Sequence, residues 1–158
     1  MELYKHHCYL EPVQIIQFTV HHSAEKVFQA WTDEKLLGAW FKPKDFKNVY
    51  CTVDPEEGGG FKVGMQAPDG KFHPLKGEYL LLEEPNVLIY MDSWDDNREN
   101  NEVVVNELRF QDSNDACIIE LYSSFPNEEK KTEALNKKSI AGWQHFFENL
   151  QVVLDSQK

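Results

Sequence analysis

The C-terminal segment constrains this chain more than any other part of it. Ile140, Trp143, Phe147, Leu150 and Leu154 recur at i, i+3, i+7, i+10 and i+14, and Phe146 and Val153 widen the stripe. That spacing puts one apolar face on a helix. The helical pattern runs over residues 128–156, and about 28 residues at 1.5 Å each span roughly 42 Å. A helix that long in a small domain must lie across a whole sheet, because one apolar helix face and one apolar sheet face bury each other.

The rest of the chain supplies that sheet. Ile16, Phe18 and Val20 alternate with Gln17 and Thr19, the period of a half-buried strand. Ser23 offers an N-cap to a helix over 24–31, in which Val27, Phe28 and Trp31 share a face. Thr32 or Asp33 caps a second short helix over 34–40, which carries Leu36, Leu37 and Trp40 and is closed by Pro43. Alternating sets then follow at Val49, Cys51 and Val53, at Phe61, Val63 and Met65, and at Leu75, Gly77, Tyr79 and Leu81. Further strands are predicted over 87–94, 102–111 and 116–125. Turn-rich breaks such as Pro68-Asp69-Gly70 separate them, where proline presets φ and glycine tolerates a positive φ. Six strands with hairpin-length connections predict an antiparallel meander. The order is β, α, α, six β, α, an α+β chain with one domain over 1–158 and an N-terminal arm over 1–12. A strongly twisted sheet curls, and a helix in its concavity leaves room at one or both ends for a cavity.

Composition narrows the function. At 158 residues a chain buries roughly 68–70% of its unfolded surface, and 4 Trp, 6 Tyr and 10 Phe furnish the core. No apolar run approaches the ~18 residues of a membrane span, and the start lacks the charged and apolar regions of a secretory signal. Cys8, Cys51 and Cys117 are odd in number and far apart, which points to reduced thiols and a cytoplasmic setting. Cys51 and Cys117 fall in strand patterns and read as small core residues. The net charge of −11 repels phosphate backbones and anionic headgroups, so neither nucleic acid nor a membrane is expected as a partner. Lys130, Lys131, Lys137 and Lys138 are interrupted by Glu128, Glu129 and Glu133 and read as a solvated helix face.

The order and spacing of these pieces resemble a known superfamily. The residues that carry the likeness are 23–33 after the first strand, Leu36 to Trp40-Phe41, Asp54 with Gly58-Gly59-Gly60-Phe61, Pro68-Asp69-Gly70, Gly77-Glu78-Tyr79, and Gly142-Trp143 with Leu150. The chain resembles the START-like, helix-grip (polyketide cyclase, Bet v-type) proteins. Within them it resembles the family named after the activator of heat shock protein 90 ATPase. The resemblance implies a helix-grip fold, with a curved seven-stranded antiparallel sheet wrapped around the C-terminal helix. It implies a hydrophobic or amphipathic small molecule as partner, with a chaperone as the alternative. The family's activator also has an N-terminal chaperone-binding domain, to which nothing in 1–158 corresponds, and where family members often have a His before the Gly-Trp pair this chain has Lys137-Lys138-Ser139. A monomer or homodimer is expected.

Few residues suggest chemistry. His6, His7 and Cys8 lie side by side, but adjacent ligands point in different directions and no second cluster completes a site, so no metal is expected, nor any cofactor. His21 and His22 read as loop histidines, His73 as a strand start, and His145 as the polar side of the last helix. Gly58-Gly59-Gly60 precedes a strand and reads as a hairpin turn, since a phosphate loop needs a helix after it. Leu108 and Phe110 share a face and send Glu107 and Arg109 to the other. With Glu120 these predict a cross-strand ladder in water. Asp92 follows Tyr90 and precedes Trp94 on one face. If those aromatics point inward so does its carboxyl, which makes Asp92 the one catalytic or ligand-polar candidate, as a general acid or base; no other catalytic residue is predicted. The expected cavity wall is Phe18, Trp31, Trp40, Phe61, Met65, Tyr79, Tyr90, Trp94, Leu108, Trp143 and Phe147. Their bland reading is a filled core. Their functional reading is that Tyr hydroxyls and Trp N–H groups orient a ligand.

Overall fold

A computed structural model describes residues 13–99, 101–136 and 139–157; the side chains of 134–136 and 139–141 lie outside that description, as do the N-terminal arm and its His6-His7-Cys8. The strands are β1 (Val13–Val20), β2 (Lys47–Val53), β3 (Gly60–Gln66), β4 (Phe72–Glu83), β5 (Val87–Trp94), β6 (Val104–Ser113) and β7 (Ala116–Ser124). They form one antiparallel sheet in the order β1-β7-β6-β5-β4-β3-β2. The meander is therefore sequential from β2 to β7, and β1 returns to pair with β7.

Two short helices follow β1. In α1 (Ala24–Thr32) the Ser23 hydroxyl accepts from the Lys26 N–H at 3.2 Å. In α2 (Glu34–Trp40) the Asp33 carboxylate accepts from the Leu36 N–H at 2.9 Å. Each cap satisfies one of the donors that a helix start leaves bare. The C-terminal pattern resolves into α3 (Glu128–Asn136) and α4 (Ser139–Asp155) on either side of residues 137–138. The apolar stripe rides on the 17 residues of α4, roughly 25 Å long.

The helices pack on one face of the sheet. Phe28 of α1 meets Phe110 of β6 edge-on at 5.9 Å, and Phe147 of α4 stacks on Phe18 of β1 at 5.2 Å. Polar ties fix α4 at the end of β1 and at α2. The His21 N–H donates to the Gln151 side chain at 2.8 Å, His22 Nε2 meets Asp155 at 2.8 Å, and Asn149 Nδ2 donates to the Lys42 carbonyl at 3.0 Å.

Two bulges move residues off the faces that simple alternation gives them. A shift between Asn48 and Tyr50 leaves Val49 58% exposed and turns Asn48 inward, where its amide donates to the Gly38 and Phe41 carbonyls at 2.9 and 3.0 Å. A second shift between Tyr79 and Leu81 hands the inward position from Leu81 to Leu82, which packs on the core. A bulge adds one residue to one strand only, so every later side chain swaps faces. At Gly142 a side-chain carbon would meet nothing within 4 Å among the described residues. The close-approach glycine of the inner face is Gly77, against whose α-carbon the Phe61 ring is seated.

On the opposite face Arg109 Nε donates to Glu107 at 2.7 Å and stands directly across from Glu120. Glu107 is fully buried, whereas Arg109 and Glu120 keep part of their surface, so the ladder is only partly in water. Burial demands such pairing, because an isolated buried charge is costly.

Candidate functional site

The register of β1, β7, β6, β5 and β4 builds a row that no single strand announces. Gln14 pairs with Ser123, Ser123 with Asn106, Asn106 with Tyr90, and Tyr90 with Tyr79. Directly paired residues share a face, and Tyr90 lies against Trp31 of α1, with ring centres 5.4 Å apart. The row therefore faces the helices. All five members are buried, between 0% and 4% exposed. Next to it, Ile16, Leu121, Leu108 and Leu88 form a wholly apolar row by the same register.

Some polar atoms in the polar row close their bonds within the protein. The Ser123 hydroxyl donates to the Asn106 carbonyl oxygen at 2.6 Å. The Tyr79 hydroxyl donates to the Trp31 carbonyl at 2.7 Å. Trp40, beside Trp31, donates its ring N–H to the Ala30 carbonyl at 2.9 Å. Two do not. The Tyr90 hydroxyl and the Trp31 Nε1 are buried with no protein partner. Burial pushes the Tyr90 phenol well above its ordinary range, and the charge of Asp92 adds to the rise; the facing Asn106 side chain tempers it without closing a bond. An unmet buried donor costs about 1–3 kcal/mol, so each is a place a ligand atom would be welcome.

Asp92 sits one pleat beyond Tyr90 on β5. Its neighbours across the strands are Gly77 and Val104, neither of which offers a side-chain donor. The carboxyl is half-buried, yet desolvation alone holds it at about 7 against an ordinary 3.8, with no ion pair or hydrogen bond to offset it. Accessible surface combined with deep desolvation describes a group lining an internal recess. Across from it Gly77 has no side chain, and the Phe61 ring is seated against it.

Of the expected wall residues, Phe61 lines the same recess as Asp92. Trp31, Trp40, Phe61, Tyr79 and Tyr90 form one buried aromatic cluster; Met65, Leu108 and Phe147 are buried in the same core. Phe18, Trp94 and Trp143 are half-buried and pack against it. Trp143 stacks on Phe147 at 5.6 Å and faces Trp31 at 6.4 Å. Trp94 lies at the far end of the same strand face, with the Arg98 guanidinium 4.2 Å above its ring. Gln14, Asn106 and Ser123 are the residues that strand alternation alone left unnoticed. Carrying the inward period one step past Ile16, Leu108 and Leu121 would have found them.

The recess that Asp92 lines holds about 590 Å³ and is shared by Val53, Asp54, Phe61, Lys62, Lys76 and Glu78 among others. Asp95 lies 3.9 and 3.8 Å from its two lysines. Desolvation raises the thiols of Cys51 and Cys117 to about 11, which disfavours the nucleophilic thiolate. Among the described residues no group of three metal-ligating side chains gathers, and no helix is long and apolar enough to cross a membrane.

A seven-stranded antiparallel sheet gripping a C-terminal helix, with a half-polar inner face, defines the helix-grip class of START-like proteins. Within that class, the family model described as "Activator of Hsp90 ATPase homolog 1-like protein" matches residues 21–155, and the chain belongs to that family. Solved structures agree on the fold. A protein from Rhodobacter sphaeroides is 17% identical, with a TM-score of 0.83 over 96% of this chain and 98% of its own. One from Nitrosomonas europaea is 19% identical, with a TM-score of 0.80 over 92% and 95%. One from Staphylococcus epidermidis is 22% identical, with a TM-score of 0.78 over 94% and 93%. No curated protein matches the sequence.

Proposed function

We propose that this protein binds a small amphipathic molecule between the sheet and α4, its carbon body against Trp31, Tyr90 and Trp143 and its polar end toward Asp92. The observation that carries this reading is the gathering of three polar groups without protein partners, the Asp92 carboxyl, the Tyr90 hydroxyl and the Trp31 N–H, in one aromatic setting. Recognition sites are mostly apolar with a few convergent polar groups, and unmet polar groups inside a fold are stabilised only when something supplies the missing bonds. Family membership supports either ligand binding or co-chaperone work.

The test is a mass spectrum of small molecules released on denaturing the purified protein, paired with uptake of an environment-sensitive apolar dye. Trp143→Ala should change dye uptake. Unchanged uptake with no released molecule would sink the reading. The co-chaperone alternative has its own test, since near-stoichiometric stimulation of a host chaperone ATPase would establish it in place of ligand carriage.

A further inference from the structure

We infer that the recess of about 590 Å³ is a second binding site, for a short zwitterionic peptide. The peptide's carboxylate sits on Lys62 and Lys76, and its ammonium sits on Glu78 and Asp54. The inference does not rest on the binding reading above.

Strand register lays out the recess. Lys62 and Glu78 alternate with Phe61 and Tyr79 of the core, so they and Lys76 stand on the face turned away from the helices. Thr52, Lys62, Lys76 and Ser93 pair with one another across β2, β3, β4 and β5. Two residues further along, Gly60, Glu78 and Met91 pair in the same way. Asp54 joins that second row through its N–H, which donates to the Gly60 carbonyl at 2.7 Å. The row of Val53, Phe61, Gly77 and Asp92 runs between the two as the floor. One wall is thus cationic with a hydroxyl at each end, and the other is anionic.

The charges of the two walls are not spent on each other. Lys62 and Lys76 stand directly opposite, where like charges repel. Among the described residues both lysines meet the same carboxylate, Asp95, at 3.9 and 3.8 Å. Those contacts are looser than a close charged hydrogen bond of about 2.7–2.9 Å, and one carboxylate serves two ammoniums. Neither lysine reaches Glu78 or Asp54 across the recess within ion-pairing distance. A ligand carrying both charges meets each wall with the opposite sign, whereas one wall would repel a ligand of either single charge. The walls are two residues of strand apart, about 7 Å, and an extended dipeptide spans about 7 Å. Met91 and Val103 offer apolar contact to its side chains, and the volume suits a small ligand.

The experiment is calorimetric titration of the protein with leucyl-leucine, its N-acetyl form and its C-terminal amide at neutral pH. The free dipeptide should bind about tenfold more tightly than either blocked form, the size of one charged hydrogen bond. Glu78→Gln should abolish its advantage over the acetylated form. The double variant Lys62→Gln, Lys76→Gln should abolish its advantage over the amide. All three side chains are exposed, so thermal melts should match the native protein. Equal binding of the three forms, no binding of any, or indifference to both sets of variants overturns the inference. An acetylated form as tight as the free dipeptide reduces the site to an anion patch and overturns it too. Saturating dipeptide should leave the uptake of an apolar dye undisturbed. Displacement of the dye would put the peptide between sheet and α4, which overturns this second site and leaves the binding reading standing.

Discussion

Ile16, Leu121, Leu108 and Leu88 form one row across β1, β7, β6 and β5; Gln14, Ser123, Asn106 and Tyr90 form the next, on the same face. Two residues of strand, about 7 Å, separate them. The first row is sealed by α1 and α4 and carries no polar side chain. The second is equally buried but carries hydrogen-bonding groups at every position, and beyond it lies the unpaired Asp92. Burial alone does not distinguish the rows. What distinguishes them is whether the buried groups find their partners inside the protein. The apolar row stabilises the fold by removing carbon from water, whereas the polar row and Asp92 hold unmet bonds and charge that lower stability until something binds.

The largest test of that contrast is Leu108→Ala, which opens a void in a fully buried row. It should cost about 3–5 kcal/mol, read as a lower urea midpoint. A loss under 1 kcal/mol would mean the apolar row is loosely packed.

Asp92→Asn should act in the other direction. The folded-state value of about 7 lies above the ordinary 3.8, so the protonated acid's contribution is fully present below about pH 4 and is lost as pH rises through 7. The variant should be more stable than the native protein at pH 8 by roughly 2–4 kcal/mol, a gain that disappears near pH 4. Urea unfolding at the two pH values measures it, and equal stability at pH 8 would place the carboxyl in water.

Trp143→Ala, at a half-buried position, should cost about 2–3 kcal/mol, less than a sealed aromatic. Trp143→Phe should be milder, because it keeps much of the ring volume. If Trp143→Ala melts within a degree of the native protein, the wall of the site has been misplaced.

The finest test uses two neighbouring tyrosines. Tyr79→Phe strands the Trp31 carbonyl and should cost about 1–2 kcal/mol, whereas Tyr90→Phe deletes a hydroxyl with no partner and should be neutral or slightly stabilising. Equal losses in thermal denaturation would show that the Tyr90 hydroxyl is bonded after all and would erase the contrast between the rows' satisfied and unmet groups.

The order of elements, the cap at Ser23 and the meander were determined by the sequence itself, because period, capping and turn chemistry act within a few residues; the second cap, left open between Thr32 and Asp33, fell to Asp33. The direction of Asp92 was left conditional on Tyr90 and Trp94, and it was settled by the Tyr90 ring lying against Trp31. Tertiary structure alone decided three things. The bulges at Asn48 and Leu80 reverse the faces of Val49 and Leu82, since a bulge depends on the partner strand. Glu107 is buried with Arg109, on a face whose alternation reads as solvent. The polar row exists only through register, because Gln14, Ser123, Asn106 and Tyr90 are distant in sequence and meet only where four strands align. Pairing register is set by the packing of the whole face against α1 and α4, so the period along each strand can name the inward polar residues but not the row in which they meet.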